Sequence, residues 1–188
     1  MKNSFTDYAD RLSTILKDYD WEPVSVLAGA MARIWERGDQ LFLCGNGGSA
    51  GNAIHLANDF LYGVGGGKKP GLKVEALTSN PAVITCLAND VGYDGIFAEQ
   101  LKAKGACNDV LLILSGSGNS PNVVRALEVG NHIGMQTFAI VGYSGGKCME
   151  LASEVIHFPV DDMQISEDLQ LVVGHMCMQW LLESKKIS

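Results

Sequence analysis

The sequence predicts an α/β fold, a three-layer, doubly wound sheet of five parallel strands preceded by an N-terminal helical arm. Three observations predict it. Five short apolar runs recur along the chain, at LFLCG (41–45), KVEALT (73–78), VLLILS (110–115), TFAIVG (137–142) and VIHFPV (155–160). Runs such as VLLILS are apolar throughout, as strands covered on both faces are. Helical stretches separate most of them, and strands alternating with helices imply right-handed crossovers in one parallel sheet.

Taken in order, the first elements are two amphipathic helices, over 3–18 and 22–37. Tyr8, Leu12, Ile15 and Leu16 fall at helical spacing, as do Val26, Leu27, Met31, Ile34 and Trp35. Both precede the first strand, so residues 1–38 read as an arm that packs on the sheet or on a partner chain. Residues 39–188 read as the α/β core of a single domain, the size expected of 188 residues. Between the strands, helices are expected over 49–61, 94–104, 119–133 and 146–152, and a last helix over about 164–184 closes the chain. The segment YGVGGGKKPGL (62–72) is the one clear irregular loop, a lid or mobile tip.

Composition excludes several classes of function. The formal net charge is −7, and Lys68-Lys69 and Lys185-Lys186 are too short to form a basic patch, so nucleic acid is not an expected partner. No apolar run approaches the ~20 residues that cross a bilayer, and MKNSFTDYADRL has no apolar signal core. The five cysteines form no CxxC pair, so neither a disulfide framework nor a thiolate zinc site is expected. A cytoplasmic protein with reduced thiols follows.

Two loops carry the chemistry. Gly45-Asn46-Gly47-Gly48-Ser49 follows the first strand and opens a helix. Glycines let the backbone approach a ligand, Ser49 is placed to cap the helix, and the helix N-terminus offers free N–H groups to an anion. Ser115-Gly116-Ser117-Gly118-Asn119-Ser120-Pro121-Asn122 follows the third strand and offers three hydroxyls, with Ser120 as N-cap and Pro121 in the first turn. Either loop alone could be a plain strand-to-helix turn. Two of them at the carboxyl ends of parallel strands mark the edge where open α/β sheets bind ligands. Neither GxGxxG nor GxxxxGK[ST] is present, so the donors suit one phosphate monoester rather than a dinucleotide or a triphosphate.

Together, CGNGGSAGNAIHLANDF, LTSNPAVITCLANDVGYDGIFAEQL and DVLLILSGSGNSPNVVRAL resemble the phosphoheptose isomerases of the sugar isomerase (SIS) domain group, in order and spacing over about residues 40–182. The resemblance implies a flavodoxin-like five-stranded sheet and a homotetramer with sites between subunits. It implies conversion of sedoheptulose 7-phosphate to a heptose 7-phosphate, D-glycero-D-manno-heptose 7-phosphate, for bacterial surface glycans. It assigns substrate binding to Asn46, Gly47, Ser49, Asn89, Asp90, Ser115, Ser117, Asn119, Ser120 and Glu167. His55 matches a helix histidine of the family, Asp59 falls where its catalytic Glu stands, and His175 matches its catalytic His. Glu167 falls where the family has a substrate- and metal-contacting Gln. Gly116 stands at a usual Thr, and Met163-Gln164-Ile165 replaces Ala-Asp-Arg.

Aldose–ketose isomerisation by an enediol needs a base at carbon and an acid/base near oxygen. Asp59 is expected as the first and His175 as the second. Asp is about one bond, ~1.5 Å, shorter than Glu. His55 and Asp59 are four apart and share a helix face, and Glu167 and His175 are eight apart on roughly one side of the last helix. Asp168, seven from His175, is the better stacked carboxylate and ranks second to Glu167. Two imidazoles and two carboxylates, His55, Asp59, Glu167 and His175, are expected to meet around a divalent metal, zinc above all, or directly around the substrate. Plainer roles exist for each. A lone helical histidine is ordinarily an interior or interface residue, and Glu167 and Asp168 could be first-turn charges behind a Ser166 N-cap. His132, His157, Trp21, Trp35 and Trp180 read as structural, and the methionines near 176–178 as helix core. Two alternatives stay open: a non-catalytic SIS module that binds a sugar phosphate or a replication initiator, and an isomerase of a different sugar phosphate.

Overall fold

The structure, a computed structural model, describes residues 4–66 and 70–184. Eight helices and five strands are assigned among them: α1 Ser4–Asp18, α2 Glu22–Arg37, β1 Gln40–Cys44, α3 Gly48–Tyr62, β2 Lys73–Ala76, α4 Pro81–Asp90, α5 Ala98–Lys104, β3 Val110–Ser115, α6 Pro121–Ile133, β4 Gln136–Val141, α7 Cys148–Leu151, β5 Glu154–His157 and α8 Met163–Ser184. The strands form one parallel sheet in the order β2-β1-β3-β4-β5. This is the doubly wound, flavodoxin-like order, and it reverses direction between β1 and β3.

Side chains alternate across the sheet, and each face receives its own core. Leu41, Leu43, Leu112, Leu114 and Ile140 pack under α2, α3 and α8. Phe42, Cys44, Leu111, Ile113 and Ala139 pack under α5 and α6. The period-2 geometry of a strand produces the three layers. Within the expected arm, α2 buries Val24, Leu27, Ala28, Ala30, Met31 and Ile34 in the first core, whereas α1 buries no residue fully. Only α1 is peripheral. It is held to the start of α8 by Tyr8, which donates to Asp168 at 2.6 Å, and by Arg11 to Asp162 at 2.9 Å.

Several expectations need correction. A helix over 81–90 was not anticipated, although its start signals are local: Asn80 caps it, accepting from the Ala82 and Val83 amides, and Pro81 follows. The expected 94–104 helix begins as a 3₁₀ turn, Tyr93–Gly95, and becomes helical only at Ala98. The fifth strand ends at His157, because Pro159 cannot continue the ladder. In 62–72, Gly63–Gly65 form a 3₁₀ turn and Val64 and Leu72 are buried, so those parts are packed; residues 67–69, including Lys68 and Lys69, lie outside the described residues, as do Lys185 and Lys186. Met176 is 40% exposed rather than core.

Candidate active site

The two loops meet at the switch point. Adjacent strands β1 and β3 deliver 45–48 and 116–120 to the same sheet edge, where they enclose a cavity of about 250 Å³. Its wall includes Asn46, Gly47, Ser49, Ser115, Ser117 and Ser120, with Glu167 from α8. Gly47 sits at φ +56°, ψ −122°, a conformation that side chains resist, and turns the chain into α3. The first turn of α3 then presents its amides to the cavity. Ser49 does not cap α3 as expected. Gly47 occupies the N-cap of α3, and Ser49 lies inside the helix, where its Oγ accepts from Gln170 Nε2 at 3.0 Å. Ser120 is at the N-cap of α6 but makes no side-chain cap bond.

Several of the expected phosphate-end residues shape the loops. Asn46 pairs reciprocally with buried Asn122, both bonds at 2.8 Å, and accepts from the Tyr93 hydroxyl at 3.0 Å. Ser115 Oγ accepts from the Gly118 amide and Ser117 Oγ from the Asn119 amide. Asn119 accepts from the Lys147 amide, tying the loop to the segment after β4. The cavity wall does not include Asn119, Asn89 or Asp90. Asn89 donates to neighbouring Asp90 at 2.8 Å on the exposed end of α4. Asn122, Tyr93, Asn52 and Gln170 were missed, since only tertiary pairing reveals them.

Glu167 is not a member of the histidine group. Its carboxylate lies against Gly48, in the space a side chain there would fill, and so belongs to the cavity between the two loops. Gly116 and Met163, both departures from the family pattern, meet in the same way, because Met163 Sδ fills the space beside Gly116. Ser166 is not the N-cap of α8. Asp162 is, accepting from the Gln164 and Ile165 amides. These amide bonds, Ile165 first, and the Arg11 guanidinium hold its carboxyl below the usual range. Asp168 is turned to Tyr8.

The second cluster lies on facing surfaces of α3 and α8. Gly174 lets the helices close, since a Cβ there would meet the fully buried Leu56. The residues next in sequence, His55 and His175, are thereby brought together. Their Nε2 atoms are 3.0 Å apart, and Asp59 Oδ2 lies 3.3 Å from His55 and 3.4 Å from His175. These three form the group able to hold a metal found among the described residues. A tetrahedral ion with ligands at about 2.0–2.2 Å needs ligand atoms about 3.3–3.6 Å apart, close to the observed triangle. Two imidazoles and one carboxylate are also the donors zinc takes in catalytic sites, where three protein ligands leave a position open. The histidine side chains are about half exposed and leave such an approach. Glu167 is eight residues before His175, about 12 Å along α8, and Gly48 is seven before His55, about 10 Å along α3. The two clusters are thus separated by roughly that distance.

Other groups do not compete. Burial pushes the Cys44 thiol up, Cys148 to about 11 and Cys177 to about 12; Cys86 is raised mainly by its bond to Asp90. None of these is a ready thiolate. A larger cavity of about 610 Å³ lies between α1 and the segment after β5, walled by Asp10, Arg11, Asp18 and Phe158 among others. No helix is long and apolar enough to cross a membrane among the described residues.

Comparison with known proteins bears on the family and the fold. The SIS domain model matches residues 4–142. A phosphoheptose isomerase of Chlorobaculum parvum is 33% identical over 179 residues, covering 94% of this chain and 85% of that protein. The structure of a phosphoheptose isomerase from Francisella tularensis superposes with TM-score 0.90 at 27% identity, covering 96% of both chains. That from Neisseria gonorrhoeae superposes with TM-score 0.87 at 26% identity over 95% of both. With its order of strands, its switch-point loops and these relatives, the chain belongs to the phosphoheptose isomerase family of SIS domain proteins.

Proposed function

We propose that this chain converts sedoheptulose 7-phosphate to D-glycero-D-manno-heptose 7-phosphate through an enediol, in the synthesis of heptose for bacterial surface glycans. The observation that carries it is the convergence of His55, Asp59 and His175 about 10–12 Å from a serine-walled anion cavity. That separation suits a sugar whose phosphate is at the far end from its carbonyl.

Ser49, Ser115, Ser117, Ser120 and the amides of Gly47–Ser49 bind the phosphate in this reading, with Asn46 and Asn119 fixing the loops. Asn89 and Asp90 approach the sugar from α4. Asp59 directs one oxygen to the imidazoles and keeps its other for carbon; Asn58 donates to that second oxygen at a long 3.4 Å. Asp59 takes a proton from C1 of the ketose and returns it to C2. His175 takes the O1 proton and supplies one to O2, so the proton balance closes and no oxidant is needed. A zinc ion, if held by His55, Asp59 and His175, would engage the His175 Nε2 lone pair and would supply Lewis-acid polarisation of the carbonyl in place of proton transfer by His175. We further propose a cytoplasmic homotetramer with sites completed between subunits.

A second reading is isomerisation of a different sugar phosphate. The Glu167 carboxylate inside the anion cavity and the Gly116–Met163 contact favour it, because both alter what touches the sugar. The deciding experiment is turnover of sedoheptulose 7-phosphate, with and without zinc and with chelator. Aldose product that vanishes in Asp59→Asn and His175→Gln supports the first reading. No product, with thermal stabilisation by another sugar phosphate, transfers the role to that sugar.

A further inference from the structure

We infer that Gln170 and Asn52 are positioning residues that aim the Ser49 hydroxyl proton into the anion cavity, an inference that rests on reading that cavity as the phosphate site. Gln170 is 1% exposed and Ser49 4% exposed, so neither exchanges partners freely with water. Three bonds link them in series. Asn52 Nδ2 donates to the Glu167 backbone oxygen at 3.0 Å and to Gln170 Oε1 at 3.0 Å, and Gln170 Nε2 donates to Ser49 Oγ at 3.0 Å.

The direction of this series is fixed at one end. A backbone carbonyl only accepts, so the Asn52 atom facing Glu167 is the amide nitrogen. The Gln170 atom beside that nitrogen is therefore the oxygen. Its nitrogen must then face Ser49 and can only donate. Ser49 cannot return its hydrogen to Gln170, and no acceptor among the described residues takes it. The single hydroxyl proton is left for an acceptor in the cavity that Ser49 lines, beside the first amides of α3. A serine whose oxygen already receives a hydrogen bond is a more strongly polarised donor. The carbonyl of Glu167 on α8 thus sets the polarity of a phosphate contact on α3.

The experiment is calorimetric titration of the zinc-loaded full chain with inorganic phosphate and with sedoheptulose 7-phosphate, over a double-mutant cycle of Gln170→Met and Ser49→Ala. Methionine keeps the volume and removes both polar ends. Gln170→Met weakens phosphate binding about tenfold, the scale of one hydrogen bond to a charged group. It changes binding less than twofold once Ser49 is alanine. Gln170→Glu weakens it further, because a carboxylate accepts the Ser49 proton and draws it out of the cavity. In turnover, Gln170→Met raises KM more than it lowers kcat, as loss of uniform binding does. Should Gln170→Met not fold, Asn52→Ala at the partly exposed end runs the same cycle. Equal weakening in both Ser49 backgrounds, or no weakening at all, overturns the inference while leaving the phosphate site standing. A wild-type chain that binds neither probe overturns the phosphate-site reading, and this inference with it.

Discussion

Gly174→Ala tests whether the approach of two helices, rather than the histidines alone, builds the candidate metal group. A Cβ at 174 would lie 2.7 Å from Leu56 Cδ1 and 3.0 Å from Cγ, against 3.4–4 Å in ordinary contact. Leu56 is wholly buried, in an interior packed as densely as protein cores are. The helices must therefore part by roughly 1 Å, given the density of protein interiors. Overpacking costs about 1–3 kcal/mol, and the helix propensity of Ala over Gly offsets about 1 kcal/mol of it. A net loss of about 1 kcal/mol is expected. The same shift takes the His55–His175 spacing from 3.0 Å to about 4 Å, wider than a tetrahedral zinc edge. Zinc affinity should fall about 10- to 100-fold, the range for disturbed supporting contacts. Thermal unfolding and competitive zinc titration measure both. Gly51→Ala is the control: it lies on the same α3 with nothing within 4 Å, so it should gain stability and leave zinc unchanged. Leu56→Val in the Gly174→Ala background should recover part of the zinc affinity. A Gly174→Ala protein as stable as wild type, with unchanged zinc affinity, would refute the reasoning.

Other expected outcomes concern separate contacts. Asp59→Asn should lower kcat at least 100-fold while calorimetry still detects phosphate binding, since the cavity and the cluster are distinct. Asn46→Ala should destabilise by about 1–3 kcal/mol in denaturant unfolding, because it strands the side chain of Asn122, which is 1% exposed. Asp162→Ala should cost about 1 kcal/mol through loss of the α8 cap. The folded carboxyl of Asp162 is held below 3.8, so the unfolded chain binds its proton first as pH falls. Its stabilisation is complete above about pH 4 and is lost as pH falls through the lower folded value. Acid unfolding of Asp162→Asn should therefore be shallower than wild type in that window.

The sheet was largely legible because its strands are continuous apolar runs set between amphipathic helices. The α3 and α6 starts were legible from glycine, serine and proline punctuation. The α4 helix escaped although Asn80-Pro81 signals it: it is ten residues long and none of its residues is fully buried. The α8 cap was misplaced because a serine and an aspartate competed. At α8, Asp162 rather than Ser166 meets the N2 and N3 amides, and Ser166 instead donates back to the Asp162 carbonyl. In the site, the shared face of His55 and Asp59 followed from four-residue spacing alone.

By itself the sequence determined the layers, the parallel sheet, the two glycine- and serine-rich loops at its carboxyl edge and the residue types from which the chemistry is drawn. These are properties of period, local turn chemistry and spacing along one element. Only the tertiary structure decided which helices meet and in which direction side chains leave them. It brought His175 to within 3.0 Å of His55 across 120 residues, sent Glu167 to the cavity between the loops instead, and joined Asn52, Gln170 and Ser49 in one series of hydrogen bonds. The physical reason is that helix-to-helix approach depends on packing, here of Gly174 against Leu56, and packing depends on residues far apart in sequence.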